Sequence, residues 1–429
     1  MKQDLLRAGA IYAAANIVSA GVPFLLLPIL TRALSTAGYG EVINFFLLVT
    51  LSSSLCGLSV HAAVSVKWFE RHRRDFPRLV GSALLLAIAS TLVCGLALLA
   101  AAGVLRNRLE LPIAFWFIAA AQNGATTLLG VRAGLWQSQG RPLPAAAMQI
   151  SAAVLNMGLS LIGVFALGLG GEGRIYGSVA ASAACATVAV WLLLRSGEAR
   201  WSTDRADIRE LARFGIPLVP HALAGALLVT ADRFSVSTML GPEALGVYGT
   251  AGQIGMSMNV LGDALVKAAS PWMYSQMAQR TPRASLRMVG ATYALIPVWL
   301  CVALALWLAI RAAGSLLVGP RFAAAIDLSL WFLLGGAMSA SSSSIAGLFF
   351  FTSKTEWLSL ATLAAAAVAL VFAPLLTRAF GMTGAALSFV AVQVCALVSS
   401  WVLSLWIQPM PWRRPRLALR VLARGRTQK

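Results

Sequence analysis

The 429-residue chain is 59% apolar and only 11% charged, with a mean hydropathy of +0.79, whereas a soluble globular domain carries about a quarter charged residues. That balance excludes a soluble enzyme or binding module and defines an integral membrane protein. The formal net charge of +19 does not indicate nucleic acid as a partner, because the cations lie mostly between apolar runs, where the positive-inside rule accounts for them.

A membrane helix needs about 20 mostly apolar residues, and twelve such runs follow one another along the chain. Six are predicted near residues 9 to 34, 41 to 66, 79 to 104, 112 to 136, 144 to 169 and 175 to 194. The first follows Lys2 and Arg7 in the manner of a signal peptide, but it continues to Leu34, too far for a signal core, and lacks a cleavage site, so it is read as a membrane helix. Residues 1–195 form the predicted N-terminal six-helix lobe. Residues 196–213 are the longest polar interruption. There Ser202, Thr203 and Asp204 supply helix N-cap chemistry, and Ile208, Leu211 and Ala212 recur among Arg205, Arg209 and Arg213, the pattern of a basic amphipathic helix lying on a membrane surface.

Six further runs are predicted near 214 to 240, 247 to 274, 287 to 312, 325 to 351, 357 to 377 and 382 to 406, forming a C-terminal six-helix lobe over residues 214–408. The basic tail, residues 409–429, sets Arg416, Arg420 and Arg424 four residues apart beside Leu417, Leu419 and Val421. It reads as an interfacial anchor to anionic lipid, or else as a disordered topogenic tail.

Four short echoes at nearly constant offset relate the two halves. Arg7-Ala-Gly9 matches Arg213-Phe-Gly215, Tyr39-Gly40 matches Tyr248-Gly249, Arg78-Leu-Val-Gly81 matches Arg287-Met-Val-Gly290, and Gly177-Ser-Val matches Gly384-Ala-Ala, at offsets of 206, 209, 209 and 207. Four in order at one spacing indicate one structural unit used twice. With both termini cytoplasmic, 24 of the 34 Lys and Arg residues fall in inner segments, 7 in outer ones and 3 within the membrane. Six helices per half then make the repeats parallel, with a cleft between two lobes. Cys56, Cys94, Cys185, Cys301 and Cys395 stand singly in apolar runs and read as small buried hydrophobes. No metal or cofactor site is expected.

Three stretches carry a resemblance to a known family: Pro28-Ile-Leu-Thr-Arg-Ala-Leu-Ser-Thr-Ala-Gly-Tyr-Gly40, Arg213-Phe-Gly-Ile-Pro-Leu-Val-Pro220, and Ala231-Asp-Arg-Phe234 followed by Leu240-Gly-Pro-Glu-Ala-Leu-Gly-Val-Tyr-Gly249. They resemble the bacterial polysaccharide biosynthesis proteins, the Wzx-type flippases of lipid-linked oligosaccharides, in the superfamily that also holds multidrug and toxin extrusion pumps and lipid II flippases. The resemblance implies an all-α membrane protein of about 12 helices in two six-helix lobes arranged as a V, alternately open to either side. It also implies that the protein flips undecaprenyl-diphosphate-linked oligosaccharide units across the bacterial inner membrane, beside glycosyltransferases and a polysaccharide polymerase.

A charge at the bilayer centre costs at least about 2.5–3.5 kcal/mol on insertion scales, so intramembrane ionisable residues are the candidates for substrate contact. These are Arg132, Asp232, Arg233, Asp263 and Lys267, with Arg32 and Lys67 near the membrane edges. Arg132 and Arg233 lead, because a diphosphate is bound by the paired donors of a guanidinium; Asp232-Arg233 also lies in the resembled motif. Four of them have a structural alternative: Asp263 and Lys267, one turn apart, neutralise one another, Arg132 snorkels to the surface, and Arg32 meets lipid headgroups. His61 and His221 read as core histidines. Asn16, Gln122, Asn123, Gln149, Asn156, Gln253 and Asn259 fit sugar contacts and interhelical hydrogen bonds equally.

Two other functions compete. A multidrug cation exporter of the same superfamily needs buried carboxylates, yet the first helix has none and the whole chain only 15 acidic residues. A membrane-embedded polymerase or acyltransferase needs a clustered acid, base or nucleophile in a long outer loop, and none is present. The reading is therefore a transporter and not an enzyme, with a lipid-diphosphate-linked oligosaccharide and membrane lipids as its partners.

Overall fold

The computed structural model describes residues 2–73, 75–279, 281–352, 355–407 and 410–424. Among them there is no strand, and nearly all lie in helices. Its α-helices are α1 (Lys2–Ala33), α2 (Thr36–Ser52), α3 (Val60–Lys67), α4 (Phe76–Leu109), α5 (Ile113–Ser138), α6 (Pro142–Leu161), α7 (Gly170–Arg195), α8 (Arg205–Gly215), α9 (Val219–Ala278), α10 (Pro282–Ala312), α11 (Gly314–Leu317), α12 (Ala324–Phe351), α13 (Thr355–Ile407) and α14 (Pro415–Arg424).

Eight helical stretches among the described residues are long and apolar enough to cross a membrane, or nine when one bent pair is joined. The protein is thus a multi-pass membrane protein. Two stretches, Arg205–Val266 of 62 residues and Leu360–Ile407 of 48, would measure about 90 and 70 Å as straight helices against a hydrocarbon core of about 30 Å. Each is interrupted by a glycine with positive φ, Gly241 at φ 84° and Gly381 at φ 61°, so each supplies two spans. Helix α5 carries Gln122, Asn123, Arg132 and Gln137 and is less apolar. With these counted, each of the twelve predicted runs falls on helix, the second of them on a broken one.

The second run, predicted as one helix over 41 to 66, is instead broken. α2 ends at Ser52 and the chain resumes as helix after a 51° bend, through three consecutive left-handed residues, Gly57 (φ 75°), Leu58 (φ 42°) and Ser59 (φ 54°). The local cause is Ser52-Ser53-Ser54. Their hydroxyls bond back to the carbonyls of Leu48, Thr50 and Leu51 and compete with the helical ladder. Neighbouring helices satisfy what the break frees: Gly57 N–H donates to Ser90 Oγ at 2.9 Å, and Asn123 Nδ2 donates to Val49 O at 2.7 Å and Ser52 Oγ at 3.0 Å.

The chain forms two compact units, Met1–Ala226 with Gly241–Gly246, and Leu227–Leu240 with Val247–Lys429. The first is packed on Val64, Leu79, Leu84, Leu135 and Leu193, and this cluster also takes in Ala199 and Leu211. Residues 196–215 therefore seal the first unit with their apolar side. Helix α8 starts as its sequence predicts, Asp204 Oδ1 accepting from Ala206 N at 2.8 Å. The second unit has a matching cluster of Met277, Met288, Val289, Phe349, Trp412 and Ala418. Residues Pro415–Arg424 of the tail are thus a helix docked on the unit, and residues 425–429 lie outside the described residues.

The echo at Arg78-Leu-Val-Gly81 and Arg287-Met-Val-Gly290 has a structural basis. A Cβ on Gly81 would fall 1.9 Å from Arg200 O, and one on Gly290 would fall 2.5 Å from Ala418 O. In each unit the strand of chain that follows the last span crosses the start of a helix at backbone contact, and only glycine admits it.

Candidate functional site

The intramembrane charges divide between paired and unpaired groups, and the pairing is tertiary. Arg132, near the end of α5, is 4% exposed and forms an ion pair with Glu198 beyond α7, its guanidinium standing 4.1 Å from the Trp136 ring centre. Ser196 Oγ donates to Glu198 at 2.8 Å, and Gln139 Nε2 donates to its other oxygen. Burial raises the Glu198 carboxyl, but the hydrogen bonds from Arg132, Ser196 and Gln139 outweigh it and the net shift is downward. Lys67 at the end of α3 is bound likewise, to Glu210 of α8 at 2.7 Å and to Glu70 at 3.1 Å. Arg32, exposed in the last turn of α1, donates to Pro28 O at 2.7 Å. Arg132 and Lys67 are thus brought to the segment that seals the first unit, each neutralised by a carboxylate.

In the second unit Asp232 and Arg233 sit on the first half of α9. Asp232, 6% exposed, accepts the Tyr248 hydroxyl at 2.7 Å; the Tyr248 ring in turn packs edge-on to Phe332 at 5.0 Å. Arg233 is half-buried. Its guanidinium donates to Val229 O one turn earlier and makes no ion pair among the described residues. Adjacent positions on a helix do not face one another, and the two side chains accordingly have different partners. Asp263 is exposed. The side chain of Lys267 lies outside the described residues, and so does the predicted Asp263–Lys267 pair.

A further cation, Arg174, stands in the first turns of α7. It lies half-buried on α7 and donates to Asn156 Oδ1 at 2.7 Å and Ser160 Oγ at 2.8 Å, over the face of Phe46 at 5.4 Å. The network continues through Asn156 Nδ2 to Ser178 Oγ at 3.2 Å, which also accepts from Gln122 Nε2 at 3.1 Å. Gln149 bonds Asn16 at 2.9 Å. These intramembrane amides therefore act as interhelical hydrogen bonds, and one of them, Asn156, also accepts from the Arg174 guanidinium, whose partners Asn156 and Ser160 are both neutral. The signal available in the sequence was the Asn156–Ser160 spacing, which puts both acceptors on one helix face. His61 and His221, expected in the core, are exposed.

The described residues thus form an all-helical multi-pass membrane protein in which two guanidiniums on its helices, Arg174 and Arg233, make no ion pair among the described residues. The fold is similar to that of a multidrug resistance MATE family transporter of the MOP superfamily, solved in an inward-facing conformation, with a TM-score of 0.67 at 15% identity over 97% of this chain and 96% of that one. A MOP superfamily transporter from Pyrococcus furiosus, described by the reverse polarity of its binding pocket, aligns with a TM-score of 0.50 at 16% identity over 98% of this chain and 94% of that one. The family of polysaccharide biosynthesis proteins matches residues 5–277, more than half of the chain, and the chain belongs to that family. Lsg locus putative protein 1 of Haemophilus influenzae is 23% identical over 275 residues, a match that spans 63% of this chain and 66% of that relative.

Proposed function

We propose that this protein flips a lipid-diphosphate-linked oligosaccharide from the cytoplasmic to the periplasmic leaflet of the bacterial inner membrane, with both termini cytoplasmic, for polysaccharide assembly. The observation that carries the reading is Arg233, a guanidinium inside a membrane span with a backbone carbonyl as its hydrogen-bond acceptor and no carboxylate partner among the described residues. A permanent anion offsets such a charge, and a diphosphate does so through the paired donors of the guanidinium. Asp232, the adjacent acid, forms no ion pair with Arg233; its carboxylate accepts the Tyr248 hydroxyl instead. Arg174 repeats the pattern in the first unit. Membership of the polysaccharide biosynthesis family supports the glycan as cargo, with glycosyltransferases supplying it and a polymerase consuming it.

A second reading, export of cationic drugs, is favoured by the carboxylate of Asp232 inside a span and by a fold shared with multidrug transporters. The two are separated in cells lacking the protein and complemented with variants. Under the flippase reading Arg233→Ala causes lipid-linked oligosaccharide to accumulate in the cytoplasmic leaflet and leaves dye efflux unaltered. Under the exporter reading Asp232→Asn abolishes dye efflux, and the glycan distribution is the same in the deletion, in Arg233→Ala and in the wild type, an outcome that excludes the flippase.

A further inference from the structure

The two arginines of the repeated motif have different fates. In the first unit Arg78, three residues before Gly81, meets the crossing chain through polar groups: its Nε donates to Ser202 Oγ at 3.2 Å and its guanidinium pairs with Asp204 at 2.6 Å. In the second unit Arg287, three residues before Gly290, lies in the corresponding place beside the crossing C-terminal segment. That segment has no acid to offer, since no Asp or Glu follows Glu356 in the chain. The Nε of Arg287 is buried without a hydrogen-bond partner, and the side chain makes no ion pair among the described residues.

A groove of about 660 Å³ adjoins this arginine, within the range of about 300–1,000 Å³ usual for small-molecule sites. Its remaining walls are apolar, chiefly Leu265, Trp272, Leu295, Val298, Leu419 and Leu422, from α9, α10 and the docked α14. Leu265, Trp272, Val298 and Leu419 are exposed on the surface of the unit, as lipid-facing residues are. Arg287 is five residues past Pro282, about 7–8 Å along a helix of roughly 46 Å. A 30 Å hydrocarbon core leaves about that much at each end for the headgroup region. Arg413, Arg414, Arg416 and Arg420, all exposed, add positive charge on the same segment.

We propose that the groove beneath α14 binds an anionic phospholipid of the bilayer. Its phosphate sits on Arg287, in the position that the Asp204 carboxylate takes on Arg78, and an acyl chain lies along Leu265, Trp272, Leu295 and Val298. The occupant is a lipid because the arginine stands at headgroup depth at one end of an apolar trough; it is anionic because the C-terminal segment crossing beside Arg287 is cationic and carries no acid. The site is resident and independent of the transported cargo.

The test is native mass spectrometry of the full-length protein titrated with phosphatidylglycerol or phosphatidylcholine of the same acyl chains. Phosphatidylglycerol is expected to bind at least about tenfold more tightly, the worth of one charge-assisted phosphate contact. Arg287→Gln loses that preference. Ala294→Trp, which fills the groove and keeps the charge, loses binding of both lipids, while Arg311→Gln, at the far end of the same helix, changes neither. Circular dichroism and size-exclusion profiles check the fold, and Ala294→Trp keeps the test decisive if Arg287→Gln does not fold. Equal binding of the two lipids by the wild type, wild-type affinity in both groove variants, or equally tight binding of glycerol phosphate without acyl chains would overturn the proposal.

Discussion

Glu198→Ala exposes how the first unit is closed. Arg132 is 4% exposed and Glu198 23% exposed, so the substitution leaves a buried guanidinium whose remaining neighbour is the Trp136 ring at 4.1 Å; its Nε is already without a partner. Removing one member of a buried ion pair costs about 3–5 kcal/mol, and partial exposure of Glu198 puts this case near 3 kcal/mol. For a unit of about 230 residues that corresponds to roughly 6–12 °C in Tm. The measurement is thermal unfolding in detergent at one fixed scan rate, because irreversible unfolding makes the midpoint rate-dependent. The double variant Arg132→Met/Glu198→Leu replaces the pair by apolar groups and is expected to recover most of the loss. A single variant within about 2 °C of wild type, or a double variant no better than the single, refutes the closure attributed to this pair.

The same carboxylate sets a pH dependence. Its folded value lies below the ordinary one, so its contribution is complete above the unfolded carboxylate value of about 4.3 and is lost as pH falls through the lower folded value; acid-limb melting is expected to flatten in Glu198→Gln. Tyr248→Phe leaves the buried Asp232 carboxylate without its 2.7 Å donor and should lower stability by about 1.5–3 kcal/mol, with Asp232→Asn in the same background recovering part of it; equal melting of Tyr248→Phe and wild type would contradict that. Gly81→Val and Gly290→Val each force a side chain onto a crossing backbone and should cost about 3 kcal/mol or more. Gly103→Ala, in open space on α4, should be neutral or stabilising by up to about 1 kcal/mol, as read from melting midpoints.

The spans were legible because a run of 20 apolar residues has few alternatives in a bilayer. The polar stretch between the halves and its Asp204 cap were legible for a related reason, since capping is local. The bend between α2 and α3 was not, because Gly57 stands in an apolar run and the serines before it have no effect on hydropathy. Nor did the sequence reveal the partners of the charges. Arg132 meets a carboxylate 66 residues away, and Lys67 meets one on a helix that only tertiary packing brings near. Spacing along one helix, the signal used for Asp263 and Lys267, says nothing of such pairs. The amides of Gln122 and Asn156 left two readings open for the same reason, and the contacts of Ser178 resolve them as interhelical bonds.

The proposed flipping activity is tested most directly by reconstitution. Purified protein in proteoliposomes is supplied with fluorescent undecaprenyl-diphosphate oligosaccharide, and the fraction protected from a membrane-impermeant quencher is followed in time. Fast loss of protection with the wild type, and at least about tenfold slower transfer with Arg233→Gln, as removal of a charge-assisted phosphate contact requires, is the predicted result. Transfer no faster than in protein-free vesicles, or a variant as fast as the wild type, would contradict the account.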